Sequence, residues 1–333
     1  MAFKQMAFKQ MAFKQIAFKQ IAFENATRTK STLLLLAATT CAAILFTGLL
    51  ASANDGSPPL EQLLNALPPI TSDDKIRLRS DVNLPASQEI CSRLHQIFDF
   101  DLNIQGLKND PRVNRPLEVG LASEQKIASL INTRMGGRAL GARAFVSHAQ
   151  GFTGSTAAYD WYVAGHEIEH VIMARLGATQ PALPTYLVEG IACSVGAHCC
   201  RELGIGSKAL QQQAKKLSQV SAQDVEDVFQ NFRVSSDIAE FRNTGKLFIG
   251  EHIGGLFVEF MACRMSDSPS KFFLNWAAFS KRLGGGTPFE TAFQQEFGFS
   301  IEKAQSEFIQ FIRRTENNPA ARFQNTVYQG FAV

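Results

Sequence analysis

The feature that most narrows what this chain can fold into is His166-Glu167-Ile168-Glu169-His170, followed after 18 residues by Glu189. On an α-helix, side chains four apart share a face. The spacing therefore predicts a helix on which His166 and His170 point at a common ion. Glu167 falls on the flank of that face, where it can reach a water at the ion without being a ligand. Glu189 has to return to the same place from a second element. Two imidazoles and one carboxylate leave one position of a tetrahedral Zn²⁺ open, which marks a catalytic rather than a structural zinc.

The surroundings favour a metal over two ordinary helix histidines, one buried and one solvated. The segment is apolar on most sides (Tyr159, Trp161, Tyr162, Val163, Ile168, Val171, Ile172, Met173, Leu176), and Gly177 supplies a good residue just past its end. Charged groups in so apolar a helix need partners, and a metal is one. Glu189 lies in Pro184-Thr185-Tyr186-Leu187-Val188-Glu189-Gly190-Ile191-Ala192. Thr185 reads there as an N-cap, which puts Glu189 near the start of a second helix.

These residues resemble the gluzincin metallopeptidases, and within them the bacterial peptidase MA-like group. That group's pattern is HExxH, a gap, then Pro-x-Trp-Leu-x-Glu-Gly-x-Ala; here Tyr186 stands where Trp is usual. The resemblance runs from about residue 75 to about residue 315, strong at the metal motif and diffuse elsewhere. It implies a zinc-dependent peptidase core of a small sheet plus helices. Zn²⁺ would be held by His166, His170 and Glu189, with Glu167 as general base and a peptide or protein as substrate.

The resemblance also implies an oxyanion donor on a later helix, where relatives show Tyr-x-x-Gly. This chain has His252-Ile253-Gly254-Gly255, so His252 falls where the Tyr would. An imidazole can donate to an oxyanion; the alternative is a helix-surface or capping histidine. Thermolysin-like enzymes place an Asp, four residues after the glutamate ligand, to orient the first zinc-binding His. Here that position is Cys193, a poor substitute for such a carboxylate. It reads as a small packing residue, half of a disulfide or a soft ligand. Glu169 and Glu259 are alternative carboxylates, with solvated surface as the default for both. Arg143–Ala149 reads as a strand before the metal helix, an ordinary sheet strand or, as in such peptidases, an edge strand that binds extended substrate; His148 could line that cleft, with a surface or structural histidine as the default. There is no Gly-Ala-Met-Glu-Asn-type box, so aminopeptidase specificity is not implied.

The 333 residues suit one large or two small domains, and 45% apolar content suits a globular core. The net charge of +3 comes largely from the first 30 residues, which argues against nucleic acid as a partner. Those residues hold a five-residue repeat, MAFKQ and variants, in five copies. Each copy advances the Phe by about 140° around a helix, so no amphipathic face forms. We read residues 1–32 as a basic low-complexity extension. Leu33–Leu50 then runs 18 residues without charge, and Ala51-Ser52-Ala53 is an A-x-A site. Residues 33–53 are thus a signal peptide or a membrane tether, and either predicts an exported catalytic domain, periplasmic, secreted or membrane-anchored. Beyond Cys41 there are Cys91, Cys193, Cys199, Cys200 and Cys263. Export permits disulfides, and one of Cys199 and Cys200 could pair with Cys91 or Cys263.

The predicted fold is α+β: a small N-terminal mixed sheet with helices carrying the metal helix, then a mostly helical C-terminal part. Residues 54–72 read as a linker, 73–203 as the catalytic domain, 204–315 as a helical subdomain and 316–333 as an irregular tail. Strands are expected at 75–80, 116–121 and 142–148, with glycines 136, 137 and 141 breaking the chain before the third. Helices are expected at 86–99, 123–133, 155–176, 185–203, 207–219, 221–232 and 246–265. Ser268-Pro269, Thr287 to Glu290 and Ser300 mark the starts of three more. Phe272, Phe273, Phe279, Phe289, Phe293, Phe297, Phe308 and Phe311 are the expected core behind the site. Three functions fit: an exported zinc peptidase, a catalytically weak pseudo-peptidase acting in the envelope as an interaction protein, or a zinc hydrolase of a non-protein amide.

Overall fold

A computed structural model describes residues 65, 67–81, 86–123, 137–140, 143–148, 157–178, 183–205, 207–234 and 246–331. All lie in one of the two units into which the chain divides, residues 63–333. The apolar run Leu33–Leu50 and residues 124–133 of the helix expected at 123–133 lie outside the described residues, while Ser123, expected to cap that helix, ends a strand. Among the described residues, no helix is long and apolar enough to cross a membrane.

The fold is α+β, with a five-stranded mixed sheet on the N-terminal side and helices after it. The strands are β1 (Pro69–Ser72), β2 (Ile76–Ser80), β3 (Leu117–Ser123), β4 (Gly137–Leu140) and β5 (Arg143–His148), in the order β1-β2-β3-β5-β4. β2, β3 and β5 run parallel, and β1 and β4 pair antiparallel at the two edges. Strand alternation sets the faces. Ile76, Leu78, Leu117, Val119, Leu121, Ala144 and Val146 are buried. On the other face Glu118 is flanked by Arg79 and Arg143, the latter with Nε at 3.0 Å. A parallel β2–β3 pair requires a crossover, and α1 (Ser87–Ile104) supplies it, burying Ile90, Leu94, Ile97, Phe98 and Leu102.

Two strands depart from expectation. Pro69–Ser72, given to the linker for its prolines, is edge strand β1; Pro is tolerated at the first residue of an edge strand. β4 lies within the segment read as glycine breaks, because four residues are too few to show an alternation. Consequently Arg143–His148 is not the edge strand: among the described strands β5 is enclosed by β3 and β4, and β4 is at the edge. The side chain of His148 lies outside the described residues.

The helix that carries His166 and His170, α2, spans Ala157–Leu176, and α3 spans Thr185–Glu202. α2 ends as expected at Gly177, φ 86°, where Ala178 N–H reaches back to the Met173 carbonyl at 3.0 Å. Thr185 is not the N-cap of α3: Pro184 occupies it without a side-chain bond, and Thr185 is the first helical residue. Its amide instead donates to the Arg233 carbonyl at 2.9 Å, so a neighbouring segment does the capping.

The remainder is helical: α4 (Ser207–Leu217), α5 (Ala222–Asn231), α6 (Leu247–Phe260), α7 (Pro269–Gly284), α8 (Phe289–Phe297) and α9 (Ile301–Thr315). α6 widens into a π-helical turn at Met261–Met265. Ser221 and Asp224 form a capping box on α5, and Ser268 and Ser300 cap α7 and α9. The capping box expected at Thr287 does not form, since Pro288 takes the N-cap of α8. The phenylalanines interlock as predicted: Phe293 lies 4.6 Å from Phe297, Phe272 5.1 Å from Phe297, and Phe308 5.3 Å from Phe257. Each such pair adds about 0.5–1.5 kcal/mol beyond burial. The tail is irregular apart from a 3₁₀ turn at Pro319–Phe323, but it is not loose. Arg322, Phe323, Thr326, Val327 and Tyr328 are all buried.

Candidate metal centre and active site

α2 and α3 cross where glycines let the backbones touch. A Cβ on Gly165 would lie 3.0 Å from the Gly196 Cα, and one on Gly196 would lie 2.8 Å from the Tyr162 carbonyl oxygen. This close crossing carries Glu189 over the histidine face of α2. His170 Nε2 then lies 3.0 Å from His166 Nε2; Glu189 Oε2 lies 3.1 Å from His166 Nε2 and 3.3 Å from His170 Nε2. A tetrahedral zinc with N and O donors at about 2.0–2.1 Å separates its donors by roughly 3.3 Å. The triangle therefore has the size one zinc spans, and the donor set is a catalytic one. Asp73, Asp74 and His95 also approach one another, but on exposed surface. The site triad is buried or half-buried.

Three electron-rich atoms facing one another need a proton or a cation among them. In the metal-free protein it is a proton on His170. Burial works against the imidazolium, but the charge and hydrogen bond of Glu189, with Glu167 and Glu251 adding, lift its pKa to about 9. Glu189 is buried too, yet His170 and His166 hold it well below the usual carboxylate range. Zinc has to displace the proton on His170. Zinc affinity is therefore expected to rise about tenfold per pH unit between about pH 7 and 9 and then level off. Calorimetry at pH 7, in buffers of different ionisation enthalpy, should show about one proton released per zinc. Binding without proton release at pH 7 would contradict this.

Glu167 is buried beside the triad. Its carboxylate accepts a hydrogen bond from the Ala139 amide of β4, so the edge strand holds the base. Burial pushes its pKa up; His166 and His170 oppose this. Its Oε2 has no hydrogen-bond partner among the described residues, which leaves one oxygen available to a water.

His252 sits on α6, 1% exposed, with Nδ1 3.4 Å from the Tyr162 hydroxyl and ring centroids 5.9 Å apart. Burial depresses its pKa to about 3, so the ring is neutral and carries one N–H. It is not a helix-surface histidine, nor does it join the three converging ligands. Tyr162 neighbours both histidines: its ring is also 6.4 Å from that of His166. Tyr162 was noted in the sequence only as an apolar helix residue. Its position, four residues before His166 on the same face, was the available signal. Glu251, half-buried beside His252, adds negative charge felt at His170 and Cys193.

Cys193 is neither bridged nor among the converging ligands. Its Sγ faces His166 Nδ1 at 3.6 Å, within reach of a sulfur hydrogen bond, and burial pushes its thiol well above the usual range. All five described cysteines are free, so the disulfides weighed from the sequence do not form among them. Glu169 and Glu259 are not solvated. Glu169 is fully buried, with Gln105 Nε2 at 2.6 Å, in a cluster with Asp101. Burial pushes both carboxyls up, as expected where two share a dry site. Glu259 accepts from Ser194, from His198 Nε2 at 2.9 Å and from Val327 N–H at 2.9 Å. Despite burial, His198 and those donors keep it ionised and lower its pKa. Both lie on apolar helices whose every face is covered, a fact invisible in a single helix pattern.

No family model and no curated protein matches the sequence. Among solved structures, the fold is similar to a mutant of an M1 zinc metallopeptidase from Deinococcus radiodurans. The TM-score is 0.38 and the identity 14%; the match covers 74% of this chain and 50% of that one. The chain thus spans half the length of that protein.

Proposed function

We propose that this chain is a gluzincin-like zinc peptidase that hydrolyses peptide bonds. The observation that carries this reading is the convergence of His166 Nε2, His170 Nε2 and Glu189 Oε2 at 3.0–3.3 Å, with Glu167 buried beside them. A zinc ion held by these three would polarise a water and a carbonyl as a Lewis acid. Glu167, aimed by the Ala139 amide, takes the proton of the attacking water and passes it to the leaving amine. The edge strand β4, which carries Ala139, can pair with an extended peptide through its other main-chain groups, placing the scissile bond beside Glu167. The dry setting keeps the carboxylate basic.

In this reading the neutral His252 donates an N–H toward the developing oxyanion. His252→Phe is then expected to lower kcat about 10²-fold with little change in zinc content. Undiminished turnover would remove the role and leave His252 as a buried partner of Tyr162. We also infer that residues 33–53 export the domain, cleaved or as a tether; N-terminal sequencing of the exported form decides between the two.

The function is tested on the full chain by zinc content and by cleavage of a broad peptide library, with and without chelator. Stoichiometric zinc with chelator-sensitive cleavage is expected. Zinc without cleavage would leave the pseudo-peptidase or a non-protein amide hydrolase in its place. A metal-free protein that takes up no added zinc would sink the site itself.

A further inference from the structure

His252 and the three converging ligands stand on different helices, so a contact between helices has to set where the His252 ring lies. His252 is on α6, His166 and His170 are on α2, and Glu189 is on α3. Tyr162, one turn before His166 on α2, makes that contact. Its hydroxyl lies 3.4 Å from His252 Nδ1, with the two rings 5.9 Å apart. The phenol is itself seated by the crossing of α2 and α3. It is buried, and a Cβ on Gly196 would lie 3.4 Å from its Cδ2. The bare Cα of Gly196 thus gives the ring its place, and the hydroxyl oxygen goes where the ring goes.

The direction of this hydrogen bond decides which nitrogen of His252 carries the proton. Burial keeps the ring neutral, so it has one N–H and one lone pair. A phenol is a far stronger acid than a neutral imidazole N–H, and the imidazole lone pair is a good acceptor. The bond therefore runs from the Tyr162 O–H to Nδ1, which leaves the proton of His252 on Nε2. The Cys193 thiol also reaches the Tyr162 hydroxyl. Burial keeps that thiol protonated, so its S–H can donate to the phenolic oxygen while the O–H goes to His252. The two contacts then use opposite sides of the hydroxyl and do not compete.

We infer that Tyr162 is a positioning residue for His252: it ties the ring to α2 and keeps its proton on Nε2, the nitrogen on the side away from the phenol. With the proton on Nδ1 instead, the ring would donate to Tyr162 and turn a lone pair outward, which repels an oxyanion. The same helix thus carries two of the ligands, the base and the group that aligns the oxyanion donor. The catalytic part of the inference rests on the role given to His252 above; the tautomer does not.

The test uses the full chain with isotope-labelled histidine, whose proton–nitrogen NMR correlations show which ring nitrogen is protonated. The His252 signal is the one missing from His252→Phe. Wild type should show the Nε2–H form with and without zinc. Tyr162→Phe keeps the ring and removes the hydroxyl. It should give a mixture of both forms and lower kcat about 10-fold, with KM and the zinc dissociation constant within about threefold of wild type. In the His252→Phe background, Tyr162→Phe should cost no further kcat, because its effect runs through the imidazole. A wild-type His252 protonated on Nδ1 would overturn the inference, and that observation needs no variant to fold. So would a Tyr162→Phe protein with unchanged tautomer and kcat, or losses that add in full in the double variant. A wild type that takes up zinc but cleaves no peptide is a different result. It removes the oxyanion role, while the tautomer still decides whether Tyr162 sets the ring.

Discussion

Glu167→Gln is expected to keep a full complement of zinc while peptide hydrolysis falls by about 10²–10⁴-fold. The substitution is nearly isosteric, and Glu167 is not one of the three converging ligands. The Gln carbonyl can still accept the Ala139 amide, so the side chain stays in place; what it loses is the ability to take a proton. The folding consequence has a definite sign. Burial raises the Glu167 pKa above its unfolded value, so the ionised carboxylate weakens the folded state increasingly as pH rises through the folded-state value. In the metal-free protein the neutral Gln removes that burden, and the melting temperature at neutral pH should equal or exceed that of wild type. Full turnover in the variant would show that another group is the base. Loss of zinc would show instead that Glu167 helps to hold the metal.

Gly254→Ala should strike the fold and the site together. α6 lies across α3 with backbone against backbone. A Cβ on Gly254 would lie 2.2 Å from the Tyr186 carbonyl oxygen, and one on Gly190 would lie 2.6 Å from the Gly254 carbonyl. No side chain can rotate away to relieve these contacts, so the two helices must part. The expected loss is about 3 kcal/mol, the upper part of the usual range for overpacking. Against a typical total of about 5–15 kcal/mol that is a large share, and urea denaturation would read it. Gly190 follows Glu189 directly, so parting the helices also moves the third ligand away from the imidazoles. Zinc affinity should therefore fall with stability. A variant within about 0.5 kcal/mol of wild type, with normal zinc binding, would mean that the crossing is not tight.

The alternation of Ile76, Leu78, Leu117, Val119 and Leu121 made two strands legible, and the serine caps of α7 and α9 marked their helices to within a residue or two. These signals are local: a pleat of period two, or a hydroxyl that bonds an amide three residues on. β1 and β4 were missed because four residues carry no period, and their strand character comes from the neighbours that pair with them. Thr185 and Thr287 failed as caps for a local reason, since the adjacent prolines take the N-cap positions.

The sequence by itself determined which side chains would converge. His166, Glu167 and His170 are related by the pitch of a single helix, and the setting of Glu189 pointed to a second helix brought over it. What surrounds the centre was decided only in three dimensions. That Ala139 holds the base, that Tyr162 meets His252, that Glu169 and Glu259 are buried, and that the tail is tied to Glu259 and Arg201 all depend on segments far apart in the chain. The helical repeat fixes distances within a turn or two. Contacts between distant segments are set by which surfaces pack, and in this protein by the few glycines that let the helices come close enough to touch.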